Sequence, residues 1–164
     1  MDSYDLSELI YDQTQKQYWL KPMGVPGTPV GTHPEAGNET VRADFSKDPS
    51  AIQIGDILLV YRIVASRLLY VARVTSEPKE ATPEEIAREN WRGRWHWGIE
   101  ALNLTPGFGA DWKHYDLGPF IVVKEYNALH PEDEQNLAPI QHGLDKLQIS
   151  QGFAKFIFHR MMDL

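Results

Sequence analysis

The chain contains no cysteine and no long hydrophobic run. Without cysteine there can be no disulfides, thiol nucleophiles, zinc–thiolate sites or iron–sulfur clusters. A helix that spans a bilayer needs about 20 apolar residues, and no stretch of this sequence approaches that length. Asp2, Asp5 and Glu8 stand where a secretory signal would be basic. These absences together predict a cytoplasmic protein that does not associate with membranes.

Basic residues are also few: the chain has 16 lysines and arginines and 23 acidic residues, which gives a net charge of −7. A broad nucleic-acid-binding face needs a basic surplus, so this balance argues against one, although it permits a local basic groove. The length of 164 residues and the 42% hydrophobic content predict one domain covering residues 1–164.

Signatures of catalysis are missing as well. The chain has no Gly-x-Ser-x-Gly elbow, no Gly-Lys-Ser/Thr phosphate loop and no His-Glu-x-x-His pair. Its six histidines are scattered and do not have metal-ligand spacing. We therefore expect a protein that is not an enzyme, with neither a metal nor a cofactor.

The hydrophobic pattern predicts an α+β protein with five to six strands and two to three short helices. Strands are expected at 18–21, 57–64, 68–74, 98–104, 120–124 and 153–158, and helices near 1–12, 83–91 and 137–147. Prolines and glycines punctuate residues 22–50, which predicts a long loop insertion without regular structure. Strands outnumber helices, which favours a small mixed β-barrel with peripheral helices. The final strand could pair across a homodimer.

Four of the five tryptophans fall between residues 91 and 112, and the segment that opens this cluster alternates cations with large rings. It contains Trp91, Arg92, Arg94, Trp95 and Trp97. Flat rings can stack on a nucleobase, while guanidinium groups can bind phosphate. Two tryptophans on one strand face often anchor a core instead. We expect at least one of these rings to line a concave surface.

Further candidate binding residues lie outside that segment: Trp19, Lys21, Tyr61, Arg62 and Trp112. Arg62 follows Tyr61 inside a mostly apolar strand, where its cation either extends to the rim of the barrel or pairs with an acid.

Several of these residues belong to short motifs that resemble the EVE domains of the PUA-like superfamily. The segment 18–22 (Tyr-Trp-Leu-Lys-Pro) resembles their first strand, with one apolar residue fewer. The run from Ile54 to Arg62 resembles their Gly-Asp-apolar strand, which ends in tyrosine and a basic residue. The segments 69–78 and 97–104 resemble the strands that follow. The resemblance covers about residues 17–104, and the Pro/Gly-rich stretch replaces the compact segment typical of the family.

The resemblance implies a PUA-like β-barrel that binds DNA or RNA. EVE, YTH, ASCH and SRA-type relatives include domains that hold one flipped, often methylated base in an aromatic pocket. The expected function is thus non-catalytic recognition of a modified base. Two alternatives stay open. One is a module for proteins or small ligands, which the acidic balance favours. The other is an ASCH-like amidohydrolase, for which Lys21 and Glu100 would be the nearest pair.

Overall fold

The computed structural model describes residues 6–23, 34–63, 67–108, 117–141 and 144–163. Its strands are β1 (Tyr18–Met23), β2 (Thr40–Phe45), β3 (Ile57–Arg62), β4 (Arg67–Val74), β5 (Lys79–Glu80), β6 (Trp97–Asn103) and β7 (Leu147–Ile149). Its α-helices are α1 (Ser7–Tyr11), α2 (Pro83–Arg88), α3 (Pro119–Leu129), α4 (Ala138–Gln141) and α5 (Gln151–Met162). Short 3-10 helices cover Pro34–Gly37, Asn90–Gly93 and Pro131–Asp133. The predicted α+β class is confirmed, and none of the helices described is long and apolar enough to cross a membrane.

All seven strands belong to one sheet, in the order β2-β6-β4-β3-β1-β7, with β5 paired to the start of β6. The β1–β3 pair is parallel and the other pairs are antiparallel. Within the described ranges the hydrogen-bonded path is open, running from β2 to β7 without closing into a barrel.

Two hydrophobic cores cover the two faces of this sheet. Helices α1, α3 and α5 pack on one face, where they meet side chains such as Leu20, Leu59 and Tyr61. The other face is filled by the strands themselves, including Leu58 and Phe45. Every residue of β3 is buried, as is nearly all of β4, so these two strands are covered on both sides.

The second core requires the sheet to curl. β2 and β1 are separated by three strands in the sheet order, which in a flat sheet would place them about 19 Å apart. Yet the ammonium of Lys21 on β1 lies 4.7 Å from the ring centroid of Phe45 at the end of β2. The sheet therefore bends around the inner face and brings its distant strands together there.

Two predicted strands are wrong. The segments 120–124 and 153–158 are helices α3 and α5. The buried side chains of α5 recur at intervals of three and four residues: Phe153, Ala154, Ile157, Phe158 and Met161. That spacing is helical, and the Ser150 hydroxyl caps the helix by accepting from the Phe153 N–H at 3.1 Å. The aromatic content misled the prediction, and the strand edge proposed for a homodimer does not exist in this segment.

The prediction of no regular structure over 22–50 is also wrong in part. β1 continues to Met23, and β2 occupies residues 40–45 with alternating burial. The segment 137–147 is helical only over α4, and Leu147 begins β7. The helix predicted near 83–91 is confirmed over α2, where the Thr82 hydroxyl and the Glu85 side chain form a complete capping box.

Candidate functional site

The candidate site is built around Lys21, whose side chain is buried on the inner face of the curled sheet and only 5% exposed. Side chains alternate along β1, so Lys21 shares this face with Trp19. Its ammonium donates to the Pro22 carbonyl at 2.9 Å. Two rings flank the same ammonium, with centroids at 4.7 Å for Phe45 and 5.5 Å for Trp95. This is a cation surrounded by aromatic faces.

Burial sets the electrostatics of Lys21. Loss of water lowers the pKa of Lys21 to about 8, while the charges of Asp145 and Asp44 offset part of that effect. Among the described residues, no carboxylate comes within 4.0 Å of this ammonium. Lys21 is therefore a charged donor without a direct acidic partner in the described part of the chain, and it can receive an acceptor from a ligand.

Asp145 joins the C-terminal part of the chain to the end of β2. Its Oδ2 accepts from the backbone N–H groups of Ser46 at 2.9 Å and Lys47 at 3.0 Å, and from the Ser46 hydroxyl at 3.2 Å. Burial alone would raise the pKa of Asp145, but the Lys47 N–H and the charges of Lys146 and Lys21 outweigh it and hold the pKa below its usual value. Asp145 thereby fixes the bend that follows Phe45.

A second lysine stands beside the first. Lys146 lies 3.5 Å from Asp145 Oδ1, and its ammonium lies 5.9 Å from the Phe45 ring centroid. Lys21 and Lys146 thus share one aromatic ring from different ends of the chain. The two like charges repel, and Lys146 contributes to the lowered pKa of Lys21.

Strand register places Trp95 at this site. Phe45 pairs with Trp97 at the start of β6, so the residues just before β6 lie beside the end of β2. Trp95 is in this approach segment and not in a strand, so Trp95 and Trp97 do not share a strand face as the sequence suggested. Trp95 is half-buried, with the exposed Arg94 guanidinium 5.2 Å from its ring. Trp97 packs against the second core.

Arg92 stabilises the segment that precedes Trp95. Its guanidinium forms ion pairs with Glu85 at 2.6 Å and Glu89 at 2.5 Å, which tie the 3-10 helix to α2. Nearby, Arg42 donates to Asp44 at 2.9 Å. Burial raises the pKa of Asp44, and Arg42 offsets only part of this effect. Asp44 therefore interacts with two cations, the hydrogen-bonded Arg42 and the more distant Lys21.

Trp19 has a structural contact. It is 6% exposed, and its indole N–H donates to Asp56 Oδ2 at 3.1 Å. Asp56 also accepts from the Gln17 backbone at 3.0 Å, the Gln17 amide at 2.9 Å and the Gln53 backbone at 2.9 Å. This carboxylate joins the start of β1 to the turn before β3. Asp56 of the Gly55-Asp56 pair thus stabilises the fold.

The remaining predicted site residues are dispersed. Tyr61 lies in the first core, on the opposite sheet face from Lys21, with its ring 5.6 Å from Phe120. Arg62 is buried opposite Arg67, and the β1–β3 register puts it on the Lys21 face. The Trp91 side chain and the whole of Trp112 lie outside the described residues. Within the described part of the predicted set, ring contacts link Lys21 to Trp95 and Arg94 to Trp95.

Sequence reasoning missed Phe45, Asp145 and Lys146. Phe45 fell in the stretch predicted to be loop, although the alternating pattern of residues 40–45 contained a usable strand signal. Asp145 and Lys146 are about 100 residues from Phe45, so only tertiary structure reveals that they meet it. Glu100, the expected partner of Lys21 in the hydrolase alternative, is exposed on β6 and is not among the charges acting on Lys21.

Elsewhere the described residues outline several open clefts. One of about 670 Å³ lies between residues 13–17 and the turn at 53–56. A second of about 510 Å³ includes Arg42, Tyr70 and Glu100. No group of three histidine, aspartate or glutamate side chains in the described ranges could hold a metal ion. The cation with aromatic neighbours around Lys21 is the more distinctive arrangement.

No protein-family model and no curated protein matches this sequence. Among solved structures, the chain is similar to a hypothetical protein from Leishmania major, with a TM-score of 0.54 and 13% sequence identity. The match covers 91% of this chain and 96% of that one. At this identity the likeness concerns the fold alone, which extends over almost the whole length of both chains.

Proposed function

We propose that the chain is a non-catalytic PUA-like module of the EVE type that binds DNA or RNA through one modified base held at the Lys21 site. The observation that carries this proposal is the buried Lys21 ammonium between the rings of Phe45 and Trp95. The curled sheet supports a PUA-like architecture. It differs from a full barrel in that its strands do not form a closed path within the described residues.

The chemistry of this group suits a nucleobase. The ammonium donates to one backbone carbonyl and has further protons for the carbonyl oxygen or ring nitrogen of a base. Trp95 is only half-buried, so its ring has surface on which a base can stack. Apolar ring surface also accommodates a methyl substituent. The choice of a modified base rests on the resemblance to EVE-type domains.

A single-base site is compatible with the acidic charge. With a net charge of −7, the chain gains little from following a long phosphate backbone. Extruding one base costs a few kcal/mol, and stacking plus hydrogen bonds at the Lys21 site would offset that cost. Such a domain needs local cations only, and Lys21, Lys146 and Arg94 supply them.

The test is a binding titration with short fluorescently labelled DNA and RNA oligonucleotides. They carry plain, 5-methylated or 5-hydroxymethylated cytosine, or N6-methylated adenine. We expect one modified oligonucleotide to bind most tightly, with an affinity that falls as salt rises. Trp95→Ala should weaken it about tenfold or more, the value of one stacked base. Lys21→Gln should weaken it to a similar extent, as expected for a hydrogen bond from a charged donor.

Matched controls separate binding from folding. Lys124 and Tyr11 are exposed on α3 and α1, so Lys124→Gln and Tyr11→Ala should leave the affinity unchanged. Circular dichroism and thermal midpoints verify that each variant is folded. If no oligonucleotide binds at low salt, the nucleic-acid proposal is wrong, and the acidic charge then favours a module for proteins or small ligands. The cytoplasmic location and the homodimer stay predictions.

A further inference from the structure

The position of Lys146 indicates the chemical class of the ligand. We infer that the site takes a phosphate-bearing nucleotide, with Lys146 as the residue that contacts a phosphate next to the bound base. This inference rests on the proposed function. It adds that a free base or nucleoside is an incomplete ligand, and it assigns to Lys146 a role separate from that of Lys21.

The first argument is the position of Lys146. Its ammonium lies 5.9 Å from the Phe45 ring centroid, and the Lys21 ammonium lies 4.7 Å from the same point. The ring itself is fully buried, so it holds the two ammonium groups near each other, and a ligand that reaches one of them comes close to the other. Lys21 is buried with the rings, whereas the Lys146 side chain is 16% exposed. A buried Lys21 and a more exposed Lys146 match a ligand whose base lies inside the site and whose phosphate lies nearer to solvent.

The second argument is charge balance. Asp145 is the nearest acid to Lys146, at 3.5 Å, but its other oxygen already accepts three hydrogen bonds from Ser46 and Lys47. Asp44 is hydrogen-bonded to Arg42. Among the described residues the two lysines therefore face Asp145 and Asp44, which both already accept hydrogen bonds from other groups, and an anion added beside Lys146 would relieve the repulsion between the ammonium groups.

The experiment compares a nucleoside with its phosphorylated form. For the cytosine case the probes are 5-methyl-2′-deoxycytidine and its 3′,5′-bisphosphate, and the N6-methyladenine pair replaces them if that oligonucleotide binds best. Calorimetry should show the bisphosphate binding at least about tenfold more tightly at low salt, the contribution of one charged hydrogen bond. Inorganic phosphate alone should compete weakly, because it lacks the base.

Variants assign the effect to one residue. Lys146→Gln should weaken the bisphosphate about tenfold and leave the nucleoside unchanged. With the oligonucleotide as ligand, the same variant should reduce the salt slope by about one. Lys146→Arg should retain most of the affinity, and Lys124→Gln should change nothing. Equal binding of nucleoside and bisphosphate by the wild type would overturn the inference while leaving the proposed function intact, as would an equal loss for both ligands in Lys146→Gln. Equally strong competition by inorganic phosphate would identify a general anion site instead. If every oligonucleotide fails to bind, both proposals fall.

Discussion

The Lys21 ammonium lies 4.7 Å from the centre of the Phe45 ring, although three strands separate β1 from β2 in the sheet. The curl that joins them leaves a cation inside the second core. Burying the charge of Lys21 opposes folding, whereas the proposed ligand binding needs that charge. A substitution that removes the charge should therefore raise stability and lower affinity.

We predict that Lys21→Met stabilises the protein at pH 7. Both states hold the proton there, and the native state bears the full cost of a buried ammonium, which methionine removes. The gap between the ordinary pKa of 10.5 and the value of about 8 corresponds to about 3 kcal/mol at most. The unpaired Pro22 carbonyl reduces the gain, so we expect an increase in unfolding free energy of about 1–3 kcal/mol by urea denaturation.

The stability advantage of Lys21→Met should depend on pH. Because the native pKa is lowered, the unfolded chain binds the extra proton between about pH 8 and 10.5, so the contribution of Lys21 to stability rises with pH in that window. The advantage of Lys21→Met should shrink there and vanish near pH 10.5. Lys124→Met on the exposed surface should show no such trend. A variant less stable than wild type at pH 7 would contradict the prediction.

Ligand affinity should change in the opposite direction with pH. If the ammonium form of Lys21 contacts the base, oligonucleotide binding should weaken progressively above about pH 8, where the native lysine loses its proton. Lys21→Arg keeps its charge through this range, so its affinity, whatever its starting value, should stay flat. Anisotropy titrations between pH 7 and 9.5 measure both curves. Parallel curves would show that Lys21 does not contact the ligand through its charge.

Asp56→Ala should destabilise the fold by about 2–4 kcal/mol, because the buried carboxylate receives four hydrogen bonds from residues 17, 19 and 53. The exposed Asp48, which accepts from the Ser50 backbone and hydroxyl, provides the control, and Asp48→Ala should have little effect. Urea denaturation measures both variants.

The same variant distinguishes the two tryptophans. Trp19 contacts Asp56, whereas Trp95 contacts Lys21. The folded fraction of Asp56→Ala should therefore bind the chosen oligonucleotide with nearly the wild-type affinity. A loss of affinity as large as that of Trp95→Ala would place Trp19 in the binding site, as the sequence first suggested.

Strand β3 and helix α5 show how much of the fold could be predicted from the sequence. The uninterrupted run of aliphatic and aromatic residues from Ile57 to Tyr61, which follows the turn at Gly55, predicted a strand. The run from Phe153 to Phe158 contains similar residues, yet it is a helix. Its period of three to four residues was present, but short apolar segments satisfy both periods, and packing on α1 and α3 decides between them.

The site was predictable only in part for a related reason. Lys21 and Trp95 stood out because a lysine in an aromatic strand and an Arg/Trp alternation are uncommon patterns. Their neighbours Phe45 and Asp145 are ordinary residues whose importance comes from the curl of the sheet. Conversely, Arg92 and Trp19 were predicted as binding residues from their side-chain chemistry, but both make structural contacts. Arg92 forms ion pairs with Glu85 and Glu89, and Trp19 donates a hydrogen bond to Asp56.

Gly152→Ala should destabilise the C-terminal helix, although alanine is the better helix former by about 1 kcal/mol. A Cβ at this position would lie 2.5 Å from the Tyr126 hydroxyl and 3.2 Å from Asp133 Oδ2. That hydroxyl donates to Asp133, which also accepts from the Ser150 cap at 2.6 Å, so neither group can move without disturbing the start of α5.

The expected loss for Gly152→Ala is about 1–3 kcal/mol of unfolding free energy, the usual range for an overpacked site. Gly37→Ala is the matched control, because no atom lies within 4 Å of the Cβ it would add, and it should be nearly neutral. The double variant Gly152→Ala with Tyr126→Phe removes the clashing hydroxyl and should recover part of the loss relative to Tyr126→Phe alone. A stabilised Gly152→Ala protein would mean that helix propensity, and not the Tyr126–Asp133–Ser150 contact, governs this end of α5.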